Sequence, residues 1–214
     1  MGDRIKPESV IGMGQNMHIH NAYVLYTVFL MFFSTGYRSV KAPLSRLTDI
    51  DLSSRYIVIA DKTGDDWGHC RLVPLADVFV SHWQNYLSHR KHVTRLMKTY
   101  LGQGDPGHAL FFLSTKEKQG IQAQEMIPEQ ITTHVSPFSN MPLNVSRHYL
   151  RSELGHRNLP GSMIDAFMGH WIAGKEPMAR FSTLSPTVFR DTLAPVLDEI
   201  LAETGWVAIR GLGQ

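Results

Sequence analysis

A chain of 214 residues with 43% apolar and 19% charged side chains has material for one well-buried domain, or two small ones at most, which excludes a disordered or fibrous polymer. Its single cysteine, Cys70, excludes an internal disulfide and fits a reducing, cytoplasmic compartment. A net charge of +2 gives bulk electrostatics little pull on a polyanion, although the eleven histidines add charge when the pH drops or a phosphate approaches.

Residues 1–15, opening MGDRIKPESV, are polar with Pro7 and read as a loose lead-in without a signal-peptide core. Lys6 also breaks the N-myristoylation pattern. A helix is predicted from about His18 to Ser34, apolar nearly all round as befits a central core helix. Its most hydrophobic stretch, Val24–Phe33, is ten residues long and too short to span a bilayer, so no membrane partner is expected. Gly36 then suits a left-handed C-cap. Ala42–Leu52 is expected to form a short helix and a turn. Arg55–Ala60 alternates and is β-branched, and Cys70–Pro74 returns as a second strand, so the two predict a β-hairpin with Lys62 at its bend.

Leu75–Leu101 carries helical periodicity, and a glycine-rich break at Gly102–Gly107 precedes the apolar run Ala109–Leu113. Ile121–His134 is expected to be helical. Helices are predicted over Val145–Leu154 and Ser162–His170, separated by the stop-and-restart sequence Asn158-Leu159-Pro160-Gly161. A short helix over Lys175–Leu184 would hold Phe181. A last one over Thr187–Glu203 carries an apolar stripe of Val188, Val196, Leu197, Ile200 and Leu201, with Pro195 expected to kink or split it. With no internal repeat and no convincing linker, the expectation is a single, mainly α domain over residues 16–214 with one small antiparallel sheet.

The chemistry gathers between Asn144 and Leu184. His148 and Arg151 form a His-x-x-Arg pair, Gly169-His170 follows, and Phe181 lies eleven residues after that histidine. Arginine offers forked donors to phosphate oxygens, and histidine moves protons near neutral pH. Each residue also has a plain alternative. Arg38 could be a solvated helix-end cation, Lys62 a turn residue, His148 and Arg151 a surface pair at i,i+3, and His170 a dipole-favoured helix terminus. His18 and His20 have no partner motif at metal-ligand spacing. The basic run His89–Lys98 reads as a solvated helix face or a phosphate contact.

The order Thr35-Gly36-Tyr37-Arg38, then Lys62 at a hairpin bend 24 residues on, then His148-x-x-Arg151, then Gly169-His170, resembles the catalytic domain of the tyrosine recombinase (phage integrase) family over about residues 16–184. The resemblance implies DNA strand breakage and rejoining by transesterification through a 3′-phosphotyrosine, without metal, cofactor or ATP. Arg38 and Arg151 would clamp the non-bridging oxygens and Lys62 would protonate the leaving 5′-oxygen. His148 would act as base or relay, and His170 would hydrogen-bond a phosphate oxygen. The implied partners are double-stranded DNA and further copies of the chain, with Thr187–Glu203 passed to a neighbour on DNA or folded back without it.

The chain departs from that family's pattern at several points. Phe181 stands where the nucleophilic tyrosine is expected, and none of the seven tyrosines follows His170. Lys41 replaces a frequent acidic residue, the step from His170 to Phe181 is slightly long, and the preceding DNA-clamp domain is expected to be missing. Absence of the nucleophile keeps a second reading open, a non-catalytic DNA-binding or regulatory protein on the same fold.

Overall fold

The computed structural model describes residues 7–38, 49–60, 70–101, 109–117, 120–137, 142–171, 177–178 and 182–213. Helices dominate, with two small antiparallel sheets beside them. The central helix α1 spans Pro7–Thr35, so it starts well before the expected His18 and takes in part of the expected lead-in. Val24, Val28, Leu30, Met31 and Phe32 on it are fully buried, because α2 (Asp77–Leu101), α4 (Val145–His156), α6 (Pro186–Glu203) and β4 (Phe112–Glu117) all pack against it. An apolar circumference is what such a position demands. Among the described residues no helix is long and apolar enough to cross a membrane.

The expected hairpin forms from β2 (Tyr56–Ile59) and β3 (Arg71–Pro74), with Ile57 opposite Val73. Its connection, including Lys62, lies outside the described residues, as does most of the helix expected over Ala42–Leu52. A short strand β1 (Ile50–Asp51) extends this sheet to three strands. The Asp51 carboxylate accepts from the Ser53 and Ser54 hydroxyls, both at 2.6 Å, and closes the turn between β1 and β2.

Two expectations in the middle of the chain are corrected. Ile121–Gln124 is not helical but lies in β5 (Gly120–Glu125), which pairs with β4. The residues alternate with period two, and Pro128, lacking an N–H, fits only the first turn of a helix. It therefore begins α3 (Pro128–Val135) instead of sitting inside a longer helix. The sheet of β4 and β5 is the second one, where a single sheet was expected.

Helices α4 and α5 (Gly161–Met168) meet at the predicted break, where Asn158 takes φ +57°. Of the helix expected over Lys175–Leu184, half, including Phe181, lies outside the described residues; the described half, Pro177, Met178 and Ser182–Leu184, is turn or irregular chain and not helix. Helix α6 runs unbroken through Pro195, which is exposed. Its buried stripe is Phe189, Leu193, Leu197, Ile200 and Leu201, while Val188 is 52% exposed and does not belong to it. The helix lies in cis against α1, α2 and β3. Its Asp198 carboxylate accepts from the backbone N–H groups of Asp77 and Val78 at 2.9 and 3.1 Å, capping the N-terminus of α2.

On α2, the run His89–Lys98 is not a uniformly solvated face. His89, Val93 and Met97 are buried, and Arg90 donates to the Ala109 carbonyl at 2.7 Å. Lys91, Arg95 and Lys98 point outward.

Candidate functional site

The site begins at the end of α1. Thr35 Oγ1 donates to the Met31 carbonyl at 2.6 Å, and Gly36 turns the chain with φ +58°. A side chain there would be strained, and its Cβ would stand 3.4 Å from the Phe167 ring. Tyr37 is buried and stacks on Phe32, centroids 5.9 Å apart, which anchors the loop and delivers Arg38 to the surface.

Two buried guanidiniums fasten this turn to the end of α5. Arg71 Nη2 and Arg147 Nη1 both donate to the Gly36 carbonyl, at 2.9 and 2.8 Å. Arg71 also donates to the carbonyls of Thr35 and Phe167, and Arg147 donates to that of Met168. These are carbonyls that a helix end leaves without intrahelical partners, and cations favour the negative end of the helix dipole. Neither arginine was singled out in the sequence. The traces they left were an arginine inside an otherwise apolar strand, and a basic residue directly before His148.

Gly169 follows α5 with φ +67°, where a side chain would be strained, and its Cβ would stand a tight 3.0 Å from Arg71 Cδ. The turn brings His170 back towards α4. There Arg151 Nη1 lies 2.8 Å from His170 Nδ1, and Arg147 Nη2 lies 3.0 Å from His170 Nε2. His148, one turn before Arg151 on the same helix, has Nε2 3.2 Å from Asn144 Nδ2.

Four of the residues singled out in the sequence, Arg38, His148, Arg151 and His170, thus line one cavity of about 450 Å³, together with Asn144, Arg147 and Met168. They arrive from the loop after α1, from α4 and from the turn after α5. Lys62 and Phe181 lie outside the described residues. Tyr149, adjacent to His148, faces the core instead, its ring 6.1 Å from that of Phe33.

The cavity is strongly cationic. Burial and the neighbouring Arg147, Arg151 and Arg38 hold the His170 imidazole below its ordinary value, with Asp165 opposing weakly. It is therefore neutral at neutral pH. A neutral imidazole accepts at one nitrogen only, yet both of its nitrogens face guanidinium donors. The guanidinium that faces the protonated nitrogen bonds elsewhere, Arg147 to the carbonyls of Gly36 and Met168 and Arg151 to the Asp165 carboxylate at 3.5 Å. The arrangement suits an oxyanion, with forked donors for its oxygens and imidazoles beside it for proton transfer. Among the described residues lining it there is no hydroxyl or thiol to act as a nucleophile.

No family model and no curated protein matches the chain. Among solved structures it is similar to the XerA recombinase, with 14% identity over 96% of this chain and 66% of that one and a TM-score of 0.48. It is also similar to the Tn1549 transposon integrase solved in complex with transposon right-end DNA, with 16% identity over 78% of this chain and 58% of that one and a TM-score of 0.44. The chain spans less than two thirds of either protein.

Proposed function

We propose that the cavity holds a phosphodiester of double-stranded DNA, in a domain of the kind that breaks and rejoins one DNA strand by transesterification. The observation that carries this reading is the convergence of Arg38, His148, Arg151 and His170 on one cavity, although 132 positions separate the first from the last. Four residues at such spacing converge when a site requires it, whereas solvated surface groups would scatter.

In this reading the reaction needs a tyrosine hydroxyl where this chain has Phe181; it attacks phosphorus, forming a 3′-phosphotyrosine as the bond to the 5′-oxygen breaks. The hydroxyl proton passes to His148, and the leaving oxygen takes a proton from Lys62. Arg38 and Arg151 neutralise the charge that grows on the non-bridging oxygens, the preorganised electrostatic effect that contributes most in such reactions. His170 holds one of those oxygens. Resealing reverses each transfer, and the covalent link conserves the bond energy. The working form on DNA is an assembly of several copies.

Phe181 has no hydroxyl, so the chain as it stands binds DNA without cleaving it. The same observation supports the second reading, a DNA-binding regulator on a recombinase-like fold. A nicked suicide substrate separates the two. The unaltered chain yields no covalent adduct. If the rest of the machinery is present, Phe181→Tyr yields a denaturant-resistant protein–DNA species, and adding Arg151→Ala abolishes it. A Phe181→Tyr variant that binds the substrate yet never forms the adduct favours the regulator.

A further inference from the structure

Beyond α6 the chain does not drift into solvent. Gly205 turns it with φ +79°, and Trp206 packs against the rings of Tyr26 and Phe33 at 5.1 and 5.4 Å. Residues 207–213 then run along the junction of α1 and α2. Tyr26 Oη donates to the Val207 carbonyl at 2.7 Å, and the Ile209 carbonyl accepts from Tyr23 Oη and Asn85 Nδ2, both at 3.0 Å.

Val207 N–H donates to Tyr26 Oη at 3.1 Å, and two further backbone N–H groups of the strap go to imidazoles. Ile209 N–H donates to His82 Nδ1 at 3.3 Å, and Leu212 N–H donates to His89 Nδ1 at 2.9 Å. A backbone N–H can only donate, so both Nδ1 atoms are unprotonated and both rings carry their proton on Nε2. The remaining bonds agree. His82 Nε2–H points at Thr27 Oγ1, 2.9 Å away, whose own proton goes to the Tyr23 carbonyl at 2.8 Å. His89 Nε2–H points at His20 Nδ1, 2.9 Å away, and His20 Nε2–H at the Phe112 carbonyl, 3.0 Å away. One chain of donors thus runs from Leu212 through two imidazoles to β4. It has no place for an additional proton.

Glycines let the strap come this close. A Cβ on Gly211 would stand 2.6 Å from His89 Nδ1, and one on Gly213 would stand 2.5 Å from His92. The titratable groups facing the imidazoles are His20, Tyr23 and Tyr26 on α1 and His92 on α2, with Tyr86 and Arg90 one ring further off, against Tyr23 and Phe112. The strap itself carries Arg210.

From this geometry we infer that residues 205–213 are a latch seated on neutral imidazoles, and that protonation of His82 and His89 releases it. Burial is the main cause that lowers His82 and His20 to about 4 and His89 to about 3. Undocking returns His82 and His89 to water and towards the ordinary value of about 6.5, so release takes up protons. Docking is complete above that value and weakens as the pH falls through it.

Hydrogen exchange, corrected for intrinsic rates, tests the latch in the full chain. Protection of the Ile209 and Leu212 amides is expected to fall at least about tenfold between pH 7.5 and 5.0 while that of α1 and α4 holds. In His82→Asn/His89→Asn, where Oδ1 accepts but cannot titrate, the dependence flattens. Protection that is independent of pH, or that falls only together with the core, overturns the inference. Should the double variant not fold, long-range ¹H–¹⁵N correlation on the unaltered chain decides instead. The Nε2–H tautomer is expected for His20, His82 and His89 at pH 7, and an Nδ1–H tautomer at His82 or His89 contradicts the latch.

Discussion

Arg151 Nη1 and His170 Nδ1 lie 2.8 Å apart, across the gap between α4 and the turn after α5. Behind burial and Arg147, that contact helps set how the cavity answers to pH. His170 sits below its ordinary value because of burial and the three surrounding guanidiniums. A depressed histidine destabilises the free fold as the pH falls from about 6.5 through its lowered value, because the unfolded chain binds the proton more readily. An anion in the cavity opposes this by favouring imidazolium, so anion binding takes up a proton. Duplex affinity at constant ionic strength is therefore expected to rise as the pH falls from 8 to 6, by at most about tenfold per pH unit for this group. Anisotropy titrations of the unaltered chain and His170→Gln check it, and a slope that His170→Gln leaves untouched would assign the effect elsewhere.

Arg147 acts through position as much as charge. It holds the carbonyls of Gly36 and Met168 and touches His170. Arg147→Ala leaves those buried carbonyls short of donors and is expected to cost on the order of 3 kcal/mol. Arg147→Lys should recover part of this, since an ammonium can reach one carbonyl but lacks the fork. Urea denaturation measures both, and an Arg147→Ala variant within about 0.5 kcal/mol of the parent would contradict the role.

Gly36 is the pivot that aims Arg38. With φ +58° and the Phe167 ring 3.4 Å from a would-be Cβ, Gly36→Ala is expected to cost about 1–2 kcal/mol. It should also weaken duplex binding beyond what the lost stability explains, because Arg38 sits two residues on. A thermal melt beside a binding titration separates the two effects.

Deleting everything after Pro186 is expected to abolish folding. Five large apolar residues of α6 are buried in the main core, Phe189, Leu193, Leu197, Ile200 and Leu201. At about 1.5–3 kcal/mol each, their loss is comparable with the whole stability of a domain, about 5–15 kcal/mol. Circular dichroism and denaturant titration of the truncated chain test this, and a cooperative transition would refute it. An apolar stripe does not say which body a helix packs on, and here α6 packs on α1, α2 and β3 of its own chain.

What the sequence revealed was local. Gly36 and the Asn158–Gly161 break were readable because turn chemistry depends on few neighbours; Gly36 takes the left-handed conformation expected of it, and the break falls between α4 and α5 where it was expected. The order of Arg38, His148, Arg151 and His170 was readable because side-chain chemistry at fixed spacing is visible without a fold. Tertiary dependence hid the rest. The alternation in Ile121–Gln124 is short, and only pairing with β4 makes it a strand. Arg71 and Arg147 matter because two helix ends happen to meet at them. The buried faces of His82 and His89 depend on a strap more than a hundred residues away.

The central claim, that this cavity receives a DNA phosphodiester, is tested most directly by fluorescence anisotropy. A short labelled duplex is titrated with the full chain, Arg38→Ala and Arg151→Ala at 50 and 200 mM salt. Each lost phosphate contact should weaken binding by a similar factor on duplexes of unrelated sequence, and should lower the slope of log affinity against log salt by about 0.9. Affinity and salt slope unchanged in both variants, with the fold intact, would contradict the account.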